Sequence, residues 1–336
     1  MKKFAIYVIL VILLIILLPT AIIQIGGGIK KLAVNDFKKT YDKGQTTVEV
    51  YETQDKCTVE MDIEDYVRGV IAAELPKDFN IEAMKAQAIA ARTYALARKD
   101  GLYRTEDNAH NEADVCTDVH CQVWTSKDDA FKKWGTGSEQ VWEKIDKAVS
   151  ETEGLVLIYD GKLINPLYHS NSGGMTENVS DVWQTSSVPY LASVASPGEE
   201  VYEKEYNGSL NISYSDFVSK IKSYNKSAAI SEKDPLKDIK IGLRTASGRV
   251  SDIKIGNITM KGTEFRMLLG LKSTNFKIEK TQDNSIKITT IGNGHGVGMS
   301  QCGANVLASS GKSYTYILTY YYQGTAVVDY KSIKNN

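Results

Sequence analysis

The apolar positions between Asp62 and Lys99 fall into two helical stripes. Val67, Val70, Ile71 and Glu74 recur at i, i+3, i+4 and i+7, so one helix face ends its apolar row with a carboxylate. Asp62 supplies an N-cap, Glu64 and Asp65 put acid in the first turn, and Pro76 stops the segment after Leu75. A second helix starts at the Asn80 cap, turns Ile81, Met84, Ala88, Ala91 and Ala95 inward, and ends at Asp100-Gly101. Its alanines permit close packing. Gln87, Arg92 and Tyr94 then either face a cleft or are ordinary solvated helix positions.

Elsewhere the period shortens to two. Residues 47–52 and 58–62 predict a hairpin about Gln54-Asp55-Lys56, and 155–158 with 163–168 predict another about Asp160-Gly161. Periodicity is absent over 103–137, a loop holding two of the four cysteines and two of the four histidines, and a helix follows over 139–151. The polar run HSNSGGMTENVSDVW reads either as a surface turn or as a set of hydroxyl and amide groups for a polar ligand. Residues 207–230 are rich in Ser, Asn and Lys, with a helix over 215–224. Short strands are expected at 239–245, 249–255, 276–280 and 286–291, with a helix at 263–269. Ser300 and Ser313 cap the last two helices. Partial segregation of helices from strands predicts an α+β fold, a helical core with short antiparallel strands.

The N-terminus breaks this pattern. Phe4 to Ile25 is uncharged and almost wholly apolar after Lys2 and Lys3, and about 20 apolar residues span a bilayer core. The length of the run and the lack of a small-x-small site predict a retained single-span transmembrane helix with the bulk of the chain outside the cytoplasm. The expected layout is an anchor at 1–28, a linker at 29–46 and a domain at 47–330, with lobes near 47–206 and 207–330. A net charge of −1 over 336 residues gives no electrostatic footprint for nucleic acid.

Glu74 is the residue with most chemical promise. Partial burial and the negative end of its helix would both raise its pKa, as a general acid near neutral pH requires. The alternative is a side chain that snorkels out at the helix end. The glycines around His295 are not a phosphate loop, because no GK[ST] follows them.

Taken together, the motifs resemble the SpoIID/LytB domain family over roughly residues 50–328. The resemblance is carried by VIAAELP from Val70, EAMKAQAIAARTY from Glu82, Ser172-Gly173-Gly174, Pro189-Tyr190-Leu191, Ser247-Gly248-Arg249-Val250 and GHGVGMSQ from Gly294. It implies a peptidoglycan lytic transglycosylase active in forespore engulfment, with Glu74 as its acid and glycan strands as its substrate. It also implies a peptidoglycan amidase and an integral membrane protein as partners, and a place between the mother-cell and forespore membranes. The expected sugar-binding set is Gln87, Arg92, Tyr94, Ser170, Ser172, Gly173, His295 and Gln301. One carboxylate suffices for such a reaction, and Asp78 is the nearest option for a second. The same family includes non-catalytic enhancers of amidases, which is the competing reading.

His110, Cys116, His120 and Cys121 form a separate group. Their mixed N and S donors suit tetrahedral zinc, and a disulfide is the alternative in an external location. The resemblance implies His110, Cys116 and Cys121 as ligands to a structural zinc, with His120 beside them. Cys57 and Cys302 are then free thiols or a second bridge.

Overall fold

In the computed structural model, which describes residues 45–103, 110, 112–183 and 185–334, the Asp62 carboxylate accepts from the amides of Glu64 and Asp65 at 2.9 and 3.2 Å. That cap opens α1 (Ile63–Glu74) directly after the hairpin β1 (Thr47–Glu52) and β2 (Cys57–Asp62). The Asn80 side chain accepts from Glu82 N–H at 2.9 Å and opens α2 (Ile81–Lys99). Both helices have the expected bounds because their capping chemistry is local.

Elements also fall within the expected loop over 103–137. It contains β3 (Val115–Cys116), parallel to β1, and α3 (Lys127–Trp134), which Ser126 caps. Only Ala130 of α3 is buried, so this helix leaves no apolar stripe in the sequence. Then come α4 (Ser138–Ser150), β4 (Leu155–Tyr159) and β5 (Lys162–Leu163). The second hairpin strand was expected to run on to Tyr168. It stops at Leu163 instead, three residues before Pro166, which has no N–H to continue a ladder. β6 (Tyr168–His169) pairs elsewhere, in parallel with β13 (Met299–Ser300).

Within the polar run lies α5 (Val179–Trp183), and α6 (Glu203–Tyr206) leads into β7 (Asn207–Ser213), a strand hidden in the Ser- and Asn-rich stretch. After α7 (Tyr214–Tyr224) come β8 (Ile239–Ile241), β9 (Asp252–Ile255), β10 (Ile258–Lys261) and α8 (Gly262–Leu269). β8 and β9 are shorter than the runs 239–245 and 249–255, since residues 242–251 form the turn between them. The chain continues through β11 (Phe276–Lys280), β12 (Ser285–Ile291), α9 (Gln301–Ser309), α10 (Tyr314–Tyr321), β14 (Ala326–Asp329) and α11 (Tyr330–Lys334).

The strands form small sheets, ordered β2-β1-β3, β14-β4-β5, β10-β9-β8, β11-β12-β7 and β13-β6. Most pairs are antiparallel; β1/β3 and β6/β13 are parallel. The architecture is mixed α and β. The described residues form two hydrophobic cores. One takes residues from Val48 to Val194 and again from Val297 to Tyr330, and the other takes residues from Ile212 to Ile288. The last helices therefore return to the first core and do not belong with the second. Among the described residues no helix is long and apolar enough to cross a membrane; Phe4 to Ile25 lies outside them.

α2 is the centre of the first core, packed against α1, α4, α9, α10 and β4. Its buried set includes Gln87, Arg92, Thr93 and Arg98 as well as its alanines. Arg92 is wholly buried: Nε donates to Glu64 Oε1 at 2.8 Å, Nη2 pairs with Glu64 Oε2, and Nη1 donates to Leu155 O at 3.1 Å. Removing one partner of a buried pair leaves the other charge uncompensated. Arg92→Leu should therefore lower unfolding free energy by about 3–5 kcal/mol, and Glu64→Leu in the same chain should restore much of it. Urea titration of both variants checks this.

Candidate active site

Glu74 is the last residue of α1, and the chain leaves it through extended Leu75 and then Pro76. The side chain is half-buried. Its Oε1 accepts from Val123 N–H at 3.1 Å and its Oε2 accepts from Gln301 Nε2 at 3.2 Å. Burial raises the Glu74 pKa, while the bonds from Gln301 and Val123, which favour the charged form, pull it partly back. The carboxyl is thus held between two neutral donors. Tyr168 stands in the same neighbourhood: its hydroxyl donates to Gln122 Oε1 at 2.9 Å, and burial, then the charge of Glu74, push the phenol upward. Asp78 is exposed beyond Pro76, and its charge bears on Tyr202.

Of the expected sugar-binding residues, Gln301 reaches Glu74 and the others divide. Gln87 and Arg92 are buried in the core and do not face a cleft. Arg92 serves Glu64, and the Gln87 amide is enclosed with neither atom bonded to protein. Tyr94 is buried with Arg98 over its ring, 3.2 Å from guanidinium carbon to ring centroid, on the side of Cys121. The polar loop is spent internally. The buried Glu199 carboxylate accepts from Ser172 N–H at 2.6 Å, Ser172 Oγ at 2.8 Å and Gly173 N–H at 3.3 Å. The Ser170 carbonyl accepts from Cys302 N–H at 3.0 Å and fixes the start of α9.

His295 lies between Trp183 and His169, with ring centroids at 5.2 and 5.6 Å. Its Nδ1 accepts from Val297 N–H at 3.1 Å, and burial with the Arg249 and Arg266 charges brings its pKa down to about 4. Burial, then the neighbouring His295 and Arg249, lower His169 as well. Both rings are neutral at pH 7. Arg249 clamps this region, donating to Gly294 O and Ser172 O at 3.1 Å each. Gly296 makes room for it, because a Cβ there would stand 2.7 Å from the guanidinium carbon. Glu177 faces the same clamp and accepts from Thr245 Oγ1 at 2.9 Å and from Ser247.

Sequence reasoning missed Val123, Tyr168 and Glu199. Val123 acts through its backbone N–H, which no side-chain pattern reveals. Tyr168 had a weak signal, as it adjoins the HSNSGG run.

The segment that supplies Val123 also carries the cysteines and two histidines. His110, His120 and Cys121 place one donor atom each within 4.8 Å of one another. Cys121 Sγ and Cys116 Sγ lie 3.5 and 3.9 Å from His120 Nδ1. Cys116 and Cys121 are free thiols, and so are Cys57 and Cys302. A bond from Cys121 brings the Cys116 thiol down to about 5, while the same pairing and burial push Cys121 up. His110 Nδ1 is buried with no hydrogen-bond partner in protein. The donors that converge are His110, His120 and Cys121, with Cys116 beside His120 but outside that mutual group; such mixed S and N donors, with the His110 nitrogen lacking a protein partner, fit a tetrahedral metal site.

A family profile described as SpoIID, stage II sporulation protein, matches residues 51–159. Stage II sporulation protein D of Bacillus subtilis is 35% identical over 350 residues, covering 100% of this chain and 98% of that protein. The chain belongs to the stage II sporulation protein D family. The protein of the same name from Bacillus amyloliquefaciens is 34% identical, over 94% of this chain and 92% of its own. An amidase enhancer of Bacillus subtilis is 29% identical, over 79% of this chain but 40% of that protein. The matched profile includes Glu74, Val123 and the Cys116–Cys121 loop, whereas Gln301 lies beyond it.

Chemically, Glu74 can keep a proton to a higher pH than a solvated glutamate and give it to an oxygen lodged beside it. Gln301 works against this by stabilising the carboxylate. Gln301→Leu keeps the bulk and deletes the donor, so the Glu74 pKa should rise further. A carbon-13 carboxyl titration checks the sign; a fall would mean that entering water outweighs the lost bond.

Proposed function

We propose that the chain is a peptidoglycan lytic transglycosylase that works on the cell wall during sporulation. The observation that carries this reading is the half-buried Glu74, whose pKa burial raises and whose two oxygens are held by Gln301 and Val123 N–H. Hydrolytic glycosidases use two carboxyl groups across the scissile bond. A transglycosylase needs one that acts twice. Glu74 protonates the glycosidic oxygen as the bond to the anomeric carbon breaks. The carboxylate so formed takes the proton of the muramyl 6-hydroxyl as that oxygen closes on the same carbon. The products are a free sugar hydroxyl and an anhydro-muramyl end, and proximity replaces an activated water. The family membership supports the wall and sporulation context, and the amidase enhancer among the relatives supports an amidase as a working partner.

The remaining parts of the reading are an N-terminal span over Phe4 to Ile25, a site of action outside the cytoplasm, and an integral membrane partner. The anchor would keep the domain at the membrane surface, where the wall is thinned.

Glu74→Gln should leave the fold intact and lower the release of anhydro-muramyl products by about 10²- to 10⁴-fold. It should also raise stability at neutral pH, because an acid whose folded pKa lies above its unfolded value costs stability once pH passes the unfolded one. Product analysis by mass spectrometry on amidase-treated glycan strands decides. Strands that bind wild type and stay uncut favour the alternative, a binding enhancer of an amidase.

Zinc is the proposed metal, held by Cys116, Cys121 and His110, with His120 completing four donors. It would tie the loop together structurally, leaving the proton transfers to Glu74. Cys116→Ala or Cys121→Ala should lose about one equivalent of zinc and weaken activity while far-UV circular dichroism stays nearly unchanged. Elemental analysis of protein purified without chelators, with thiol counting, measures this; a Cys116–Cys121 disulfide and no zinc would overturn it.

A further inference from the structure

On the flank of α1, a cleft of about 500 Å³ is lined by Asp65, Arg68, Trp124, Lys127, Trp142 and Asp146. It lies apart from the groups that hold Glu74 and from the cysteine loop. Trp124 lies with its indole edge on the helix backbone, which only glycine allows at position 69: a Cβ there would stand 2.0 Å from Trp124 Nε1. Trp142 is set by an edge contact to Phe131 at 6.2 Å between centroids, and the Lys127 ammonium sits 5.4 Å from its ring centroid. Arg68 donates from Nε to Asp146 Oδ1 at 2.7 Å and from Nη1 to Asp65 Oδ1 at 3.3 Å.

The charges lining this cleft cancel: Arg68 and Lys127 stand against Asp65 and Asp146. Such a rim has no net pull on an anion. It offers acceptors and donors side by side, beside two large aromatic surfaces. A pyranose has the matching chemistry, with C–H faces for the indoles and hydroxyl and acetamido groups for the ionic rim.

The cleft is also joined to the acid. Val123 N–H closes on Glu74, and two residues on, Thr125 N–H closes on Gly69 O at 3.2 Å. Those two anchor points are five residues apart on α1, about 7.5 Å along its axis. One short segment therefore forms a side of the acid's setting at one end and a wall of the cleft at the other.

We propose that this cleft is a distal saccharide subsite, taking an N-acetylhexosamine of the glycan strand whose cleavage Glu74 performs further along. The proposal rests on the reading of the chain as a glycan-cleaving enzyme. It makes recognition depend on strand length: a substrate too short to reach Trp142 gains nothing from the cleft.

The test uses the full chain in detergent carrying Glu74→Gln, with chitin oligosaccharides of two to six sugars as probes, followed by calorimetry and tryptophan fluorescence. Affinity should increase once the oligomer is long enough to fill the cleft. Trp142→Ala should then bind the longest probe about tenfold more weakly and the shortest equally well. Asp146→Ala, at an exposed position, and Gly69→Ala, which displaces Trp124, should show the same length-dependent loss, so the answer survives if Trp142→Ala unfolds. Equal affinities in folded variants at every length overturn the subsite, as does a lack of binding by every probe. Cleavage is read separately in the chain with Glu74 intact, on amidase-treated peptidoglycan strands. Length-dependent binding without anhydro products keeps the subsite and removes the enzyme reading; anhydro products with variant-independent binding do the reverse.

Discussion

A guanidinium sealed in an alanine-rich helix is the constraint around which the first core is built. α2 can be approached from every side because its inward residues are small, but Arg92 is carried in with them. A buried charge without a partner costs several kcal/mol. Glu64 and the Leu155 carbonyl meet it, and Gly154 N–H adds a bond to Glu64 Oε1 at 3.3 Å. Those contacts fix the first turn of α1 and the entry to β4 against the middle of α2. Once the start of α1 is fixed, its rigid length places Glu74 at the opposite end, where residues from the loop and from α9 meet it.

What the sequence disclosed follows the range of the forces involved. Caps act over two or three residues, so Asp62, Asn80, Ser300 and Ser313 announced their helices. The apolar row ending in Glu74 was visible for the same reason. α3 escaped because one buried alanine makes no stripe, and β7 because its polar residues dominate its composition. Arg92 was misplaced by a sound general rule, that charged helix residues face water. Only the spatial nearness of Glu64, 28 positions away, reverses it.

The polar loop shows a different limit. Ser172 and Gly173 have the groups to hold an anionic ligand, and the chain fills that place with its own Glu199. Arg249 then draws the carbonyls of Ser172 and Gly294 together, binding the turn between β8 and β9 to loops of the first core. Residue types alone do not tell whether such a nest is open to solvent or satisfied from within. The Glu177 contacts with Thr245 and Ser247 lie on the same seam, and they too serve cohesion between neighbouring segments.

The bond from Gln301 to Glu74 spans 227 positions of sequence. Emerging from the ribosome in order, the chain makes its acid early and the acid's amide partner nearly last, and loop closure over that span is among the costlier steps of assembly. The carboxyl therefore acquires its final setting only when α9 has docked on the helices made before it. A chain cut short before Gln301 would still carry the glutamate in its sequence, but it would lack one of the two donors that tune it together with the C-terminal share of the first core.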